Sequence, residues 1–331
     1  MRTLISWRRL TSALIVALSV ASALQAQAPA LSKEYIRLGG RILAIEVQSA
    51  PPVYDVAPVY ESFTYLTAPS GPPNAPPATG WVVVGAGDFD RNGVPDLVYM
   101  NTSTREVTVN YYGGAGGATM IGWAWLNTAG EPAGWTIVGV ADMNGDGVPD
   151  LIWQNAGANE VTVNYYGGAG GAVYQGWNWL DQNSYPGWAV VGAADFDGNG
   201  TPDLVWQNQS SEQVTVHYYS LVGGVPTYTG WNWLDKNNDS GWAVRGVADM
   251  NGDSVPDLIW EDISTGQATV HYFGGAGGAV DEGWEWFRNG AGSAGWLIVA
   301  VADFNGNGEP DLVWQQSASP NAVTVNYYGL E

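Results

Sequence analysis

Short apolar runs and sharp polar breaks alternate along most of the chain, and the alternation repeats. Residues 187–234 read GWAVVGAADFDGNGTPDLVWQNQSSEQVTVHYYSLVGGVPTYTGWNWL. They contain four segments of strand composition, WAVVGAA, DLVWQ, VTVHYY and YTGWNWL. Each is rich in Val, Trp, Tyr or Thr, and Gly, Asn, Asp or Pro separates them. Nothing in this stretch has helical periodicity. The same sentence recurs from Asp88, Asp142, Asp195, Asp249 and Asp303, at spacings of 54, 53, 54 and 54 residues. Four short strands per repeat is the unit of a β-propeller blade. A blade is covered on both faces by its neighbours, so near-continuous apolar strands are expected rather than strict alternation. The fold class is therefore all-β, a propeller of four-stranded blades starting near residues 81, 135, 188, 242 and 296.

The fifth copy stops early: after VTVNYY (residues 323–328) only GLE remains. The missing outer strand has a candidate at the other end of the chain. VYESFTYL (residues 59–66) aligns without a gap to VYQGWNWL (residues 173–180), placing Phe63 and Tyr65 where Trp177 and Trp179 stand. Residues 59–66 are thus expected to close a five-bladed ring and remove a free sheet edge. Residues 59–331 then form one propeller, with the proline-rich residues 67–80 as linker to blade one. Within the extension 31–58, EYIRLGGRILAIE (residues 34–46) reads as a hairpin turning at Gly39-Gly40, either a cap or the start of an irregular sixth blade.

Of 18 Trp, 17 lie in the repeats at recurring places. Large aromatic slabs between blades account for most of them, and stacking on sugars is the functional alternative for a minority.

The turn after each first strand carries the candidate chemistry. In D-x-D-x-N-G-x-x-D, side chains at positions 1, 3 and 5 converge when position 6 permits a sharp turn. The carbonyl of position 7 points inward and a carboxylate at position 9 closes the far side. That is an oxygen cage of the kind Ca2+ takes, and a divalent cation removes the mutual repulsion of the carboxylates. The candidate ligands are Asp88, Asp90, Asn92, Val94 and Asp96, then Asp142, Asn144, Asp146, Val148 and Asp150. The third loop has Asp195, Asp197, Asn199, Thr201 and Asp203, and the fourth Asp249, Asn251, Asp253, Val255 and Asp257. The fifth has Asp303, Asn305, Asn307, Glu309 and Asp311 and is expected to bind most weakly, with two side-chain carboxylates at the cage positions. Up to five calcium ions are expected. Mg2+ fits less well because it demands a tighter octahedron. Ser254 replaces the position-6 glycine of the fourth loop and is expected to strain that turn.

The acidic loop followed by PDLVW resembles the FG-GAP/VCBS repeat family, over about residues 80–329. The resemblance implies a calcium-dependent propeller of the kind found in integrin α chains and secreted bacterial proteins, often with adhesive or carbohydrate-binding roles. Members commonly have seven blades, so five is a departure.

Composition narrows the partners. The formal charge is −21, which argues against nucleic acid and anionic membranes. There is no Cys, so neither disulfides nor thiol chemistry are available. Residues 1–30 combine three Arg, an apolar run too short to span a bilayer and small residues in QAQAPA. They read as a secretory signal, with a membrane anchor as the alternative. A secreted or cell-surface monomer is expected, with the periplasm as a further option.

No nucleophile motif, phosphate loop or His-rich metal motif is present. His217 and His271 occupy one strand position in consecutive copies, where Asn110, Asn164 and Asn326 stand elsewhere, a pattern of structural hydrogen bonding more than catalysis. The chain reads as a binding or adhesion module for a glycan or an extracellular protein. Alternatives are a structural interaction module and a polysaccharide-active enzyme. The connections after the fourth strands diverge most between copies and place a ligand around Asp181, Gln182, Asn183 and Tyr185, and around Asp235, Asn237 and Asp239.

Overall fold

The computed structural model describes residues 34–38, 41–45, 58–66, 80–130, 132–155, 157–183, 185–237, 239–287, 295–317 and 322–330. The expected signal, the tip of the hairpin and residues 67–79 of the linker lie outside them. The chain divides into two units, Met1–Val53 and Tyr54–Glu331. In the first, Glu34–Leu38 and Arg41–Ile45 form a two-stranded antiparallel sheet of their own, with Leu38 opposite Arg41.

The second unit is a ring of five four-stranded antiparallel sheets. In blade one the strands are Trp81–Gly87, Asp96–Asn101, Val107–Gly113 and Thr119–Asn127, paired in chain order. Blades two, three and four begin at Trp135, Trp188 and Trp242 and repeat that order. Blade five takes Trp296–Ala302, Asp311–Gln316 and Val323–Leu330 from the C-terminal end and Pro58–Tyr65 from the N-terminal side. The register of the closing strand is the expected one: Phe63 lies opposite Asn326, as Trp177 lies opposite Asn164 in blade two. Neighbouring first strands touch around the ring, and those of blades five and one complete it.

Every second strand is buried along its first five residues, as sheets covered on both faces require. The core is accordingly five apolar clusters, one in each cleft between adjacent blades.

Packing at the axis explains a glycine. A Cβ on Gly246 would come within 2.3 Å of Val301 in the next first strand, and one on Gly192 within 2.5 Å of Val247. Blade five carries Ala300 there, packed in a cleft where blade one presents Ala86.

Polar side chains also stitch blade to blade. The Gln154 amide accepts from Val190 N–H (3.0 Å) and donates to the Trp188 carbonyl (3.3 Å). Gln207 and Gln315 do the same to blades four and one. Tyr111, Tyr218 and Tyr327 donate their hydroxyls to Gly170, Gly277 and Gly116, in the glycine turn of the next blade. Blade four has Glu261 in place of the glutamine, buried and held at 2.9 Å by Arg245 Nε.

Candidate functional site: acidic loops and rim pockets

The five acidic loops share one local design. The position-1 carboxylate accepts backbone N–H groups of positions 5 and 6: Asn92 (3.0 Å) and Gly93 (2.8 Å) bond to Asp88. The side-chain oxygen of position 5 accepts the N–H of position 7, as Asn92 does from Val94 at 2.7 Å. The position-2 residue, alternately Phe and Met, is buried and anchors the turn in the core.

Position 9 has a structural role that its spacing did not announce. Asp96 is fully buried and accepts from Phe89 N–H and from Tyr112 N–H, both at 2.9 Å. It thereby clasps the loop to the third strand. Asp150, Asp203, Asp257 and Asp311 make the same pair of bonds in their blades. Burial, partly offset by these bonds, pushes the carboxyls of Asp96, Asp150, Asp203 and Asp311 up to about 7, and that of Asp257 to about 8. Neighbouring loop carboxylates push the same way.

Whether the carboxylates gather depends on the order of Asp and Asn. In blades one and three, ligand oxygens of Asp88, Asp90 and Asp96, and of Asp195, Asp197 and Asp203, lie within 4.8 Å of one another. Their position-5 amides, Asn92 and Asn199, donate to the third-strand carbonyls of Tyr112 (2.8 Å) and Tyr219 (2.7 Å). Blades two and four reverse the order. Asp146 and Asp253 cannot donate, and they accept instead from Asn144 (3.5 Å) and Asn251 (3.3 Å). Among the described residues no such cluster forms there or around Asp303, Asn305, Asn307 and Asp311. No ion pair joins any loop carboxylate to a described cationic side chain. An all-oxygen donor set with buried, uncompensated carboxyl groups fits a hard divalent cation, best in loops one and three. Ser254 adopts φ 73°, so the fourth turn does hold a side chain in the left-handed region.

A second feature lies at the rim, and sequence reading found only its border. On blades two, three and four, the face turned to the preceding blade carries a cavity near the outer strand. The cavity of blade three, about 330 Å3, is built from Trp188, Trp206, Thr215, His217, Trp231 and Trp233, with Tyr185 and Tyr228 at its sides. Blade two repeats the frame with Trp135, Trp153, Thr162, Trp177 and Trp179 (about 300 Å3). Blade four repeats it with Trp242, Trp260, Thr269, Trp284 and Trp286 (about 280 Å3).

The register dictates this frame. Trp206 pairs with Thr215, Thr215 with Trp233, and His217 with Trp231, so all point to one face. The Trp of the second strand forms the buried floor, the interblade slab expected of it. The outer-strand pair does not: Trp177, Trp231 and Trp284 are 50%, 52% and 54% exposed. Each meets its partner two residues on at a steep angle, 82°, 76° and 79° between rings.

The floors hold polar atoms without partners. The indole N–H groups of Trp153, Trp206 and Trp260 are buried and unbonded, as is the Thr269 hydroxyl. In blade three, His217 is nine-tenths buried, with Nδ1 unbonded and 4.0 Å from the Asp181 carboxylate of blade two. Burial lowers its pKa to about 4, so the ring is neutral at neutral pH.

Of the residues placed at a ligand by sequence, Tyr185 and Asp239 line these cavities, and Asp181 and Asp235 stand beside them. Gln182, Asn183 and Asn237 are exposed; the last two donate backbone N–H groups to Asp181 and Asp235 at 2.7 Å. The cavities are lined chiefly by residues that sequence did not place at that ligand: tryptophans, of which a minority were given sugar stacking as an alternative, His217, read as structural, and Thr215 and Tyr228. Their signal was present: two Trp at i and i+2 on an outer strand share a face.

The FG-GAP-like repeat profile matches residues 88–153, 142–206 and 249–314, together more than half of the chain. No curated protein sequence matches. Among solved structures, the Photorhabdus luminescens Tc holotoxin pore is similar at 15% identity and TM-score 0.40, over 89% of this chain and 16% of that one. The exotype rhamnogalacturonan lyase YesX aligns at 13% identity and TM-score 0.33, over 87% of this chain and 53% of its own. The rhamnogalacturonan lyase YesW aligns at 12% and 0.37, over 88% and 79%. Likenesses this distant bear on neither ligand nor activity. Among the described residues no helix is long and apolar enough to cross a membrane. By its repeated loops, its blades and the matched profile, the chain belongs to the FG-GAP-like repeat family.

Proposed function

We propose that the protein is a secreted, calcium-supported binding propeller that holds a glycan in the aromatic pockets of its rim, without catalysis. The observation that carries this reading is the threefold recurrence of one cavity: exposed outer-strand tryptophans over a floor with a buried, unbonded indole N–H. A sugar ring presents C–H groups to aromatic faces and hydroxyls to polar atoms, and so satisfies both parts at once. Burying an indole N–H without a partner costs about 1–3 kcal/mol, and a bound hydroxyl recovers much of it. A purely structural role leaves the exposure of Trp177, Trp231 and Trp284 unaccounted for.

Calcium belongs to the support of this surface. Asp88, Asp90 and Asp96, and Asp195, Asp197 and Asp203, would hold it, and the ion would neutralise carboxylates that the loops gather. The Asp203 clasp ties loop three to the third strand whose Thr215 and His217 side chains line the blade-three pocket.

The test is a glycan array probed with the full chain in calcium and in chelator, followed by calorimetry on the hits. Binding of neutral oligosaccharides that weakens at least tenfold in Trp177→Ala or Trp231→Ala is expected. Binding only to protein partners, or turnover of a bound polysaccharide, refutes the reading.

A further inference from the structure

The three rim cavities have the same tryptophan frame and different contents. Three positions vary. In the blade-two cavity they are Asn164, Pro132 and Tyr174, and in the blade-three cavity His217, Tyr185 and Tyr228. In blade four His271 and Asp239 line the cavity, and the exposed Asp281 takes the strand position of Tyr174 and Tyr228, near enough to act on His271. The last residue of the preceding blade's outer strand changes in step, from Asn127 to Asp181 to Asp235. Among the described residues no carboxylate lines the blade-two cavity, Asp181 stands beside that of blade three, and Asp235, Asp239, Asp281 and Glu212 lie around that of blade four.

We propose that the blade-four cavity takes the protonated amine of an amino sugar, while its two counterparts take neutral sugar rings. This rests on the reading of the cavities as sugar sites.

Four observations converge. Burial raises the Asp239 carboxyl above its ordinary range, and the neighbouring Asp235 carboxylate and then Glu212 push the same way. Two carboxylates so placed need a shared proton or a cation, and an ammonium group offers three donors. Among the described residues no Lys or Arg pairs with any of them. The walls are aromatic and attract cations: Lys236 Nζ already stands 6.0 Å from the Trp233 ring centroid in the adjoining cavity. His271 stacks between Trp260 and Trp284, and burial lowers its pKa, so it brings no opposing charge at neutral pH.

The floor decides between an amino sugar and a simple alkylammonium. Trp260 Nε1 and Thr269 Oγ1 are both buried, unbonded and part of this cavity. A lysine side chain or a choline head brings ammonium and no hydroxyl to meet them. A sugar ring brings both, with a face to stack on Trp284.

The test titrates the calcium-loaded full chain by calorimetry with four probes: a β-1,4 glucosamine tetramer, its N-acetylated form, cellotetraose and tetramethylammonium. The glucosamine tetramer should bind at least tenfold more tightly than the acetylated one. Asp239→Asn with Asp281→Asn should erase that advantage and leave cellotetraose binding unchanged, while Trp177→Ala weakens cellotetraose. An unchanged melting curve for the double variant establishes that it folds. Three results overturn the proposal: equal binding of the two tetramers, an advantage that survives the double variant, or tetramethylammonium matching the glucosamine tetramer. If cellotetraose binds and the amine brings no gain, the sugar-site reading stands and only this inference falls. If no sugar binds, both fall.

Discussion

The acidic turns and the rim cavities are both repeated around the ring, yet they vary in opposite ways. In the turns the clasp is constant: five buried Asp, each with the same two backbone donors. At the side-chain positions of the cage, variation there is confined to Asp and Asn. At the rim the tryptophan frame is constant and the lining changes from blade to blade, from Pro132 to Tyr185 to Asp239 at one position. A group that holds the chain to itself must meet the same partner in each copy. A group that meets something from outside need not. On the proposed reading, the difference separates residues that make the fold from residues that meet a ligand.

The widest test of this division removes the cation. Each occupied site at a free calcium concentration 100 times its Kd contributes about 2.7 kcal/mol, so two gathered sites contribute about 5 kcal/mol. Chelator should lower the melting temperature of metal-loaded protein by roughly 10 °C or more, given about 2–4 °C per kcal/mol at this size. An unchanged melt would remove calcium from the fold.

The converse test strips the rim. Trp177→Ala, Trp231→Ala and Trp284→Ala together should reduce binding of a multivalent glycan about 100-fold or more, since each pocket multiplies the effect of the others. Because these side chains are half exposed, the calcium-dependent melt should shift little. A large loss of stability in the triple variant would place the outer-strand tryptophans in the fold rather than in recognition.

Much of this was legible in the chain. The blades follow from strand composition with a fixed period. The closing strand followed from the gapless match of residues 59–66 to 173–180, because outer strands share one job. The loops followed from carboxylate spacing. Three things were not legible. The clasp by Asp96 needs the third strand to pass close to a residue 16 positions earlier, which is tertiary information. The gathering of carboxylates in loops one and three depends on which side chain at position 5 can donate to that strand. The cavities need the register to place Trp188, Trp206 and Trp231 on one face, and the ring to leave that face open at the rim. Divergence in the connections found their border, at Tyr185 and Asp239, and not their interior.

Acid sharpens the comparison in a different way. The clasp carboxyls titrate near 7, and Asp257 near 8, against an ordinary value of 3.8. In chelator the folded chain holds protons that the unfolded chain has released, so stability falls as pH rises from about 4 through 7 to 8. His217 and His271 act oppositely, since the unfolded imidazoles gain protons below 6.5 that the buried ones refuse. Between pH 8 and 6.5 the five carboxyls outweigh the two imidazoles, whose unfolded forms are at most half protonated there. Chelated protein should therefore melt several degrees higher at pH 6.5 than at pH 8. In calcium the order should reverse, because protonation competes with the ion. The same slope in both conditions would separate the clasps from any metal.

The smallest expected effect isolates one turn. Position 6 takes φ values of 85°, 82°, 86° and 93° in loops one, two, three and five, where Gly93, Gly147, Gly200 and Gly308 stand. In loop four Ser254 is held at 73°, with its N–H donating to Asp249 Oδ2 at 2.7 Å. The clash is local to the backbone, since a Cβ on Gly93, Gly200 or Gly308 would meet nothing within 4 Å. A non-glycine residue in the left-handed region costs about 1–2 kcal/mol, and glycine returns part of that as extra freedom of the unfolded chain. Ser254→Gly should stabilise the protein by about 0.5–1 kcal/mol, read as a small rise in the denaturation midpoint with an unchanged slope. The gain should appear in chelator and in calcium alike, and rim binding should not move. A destabilised variant would mean that the Ser254 side chain holds the fourth loop, making that turn an exception to the constancy of the other four.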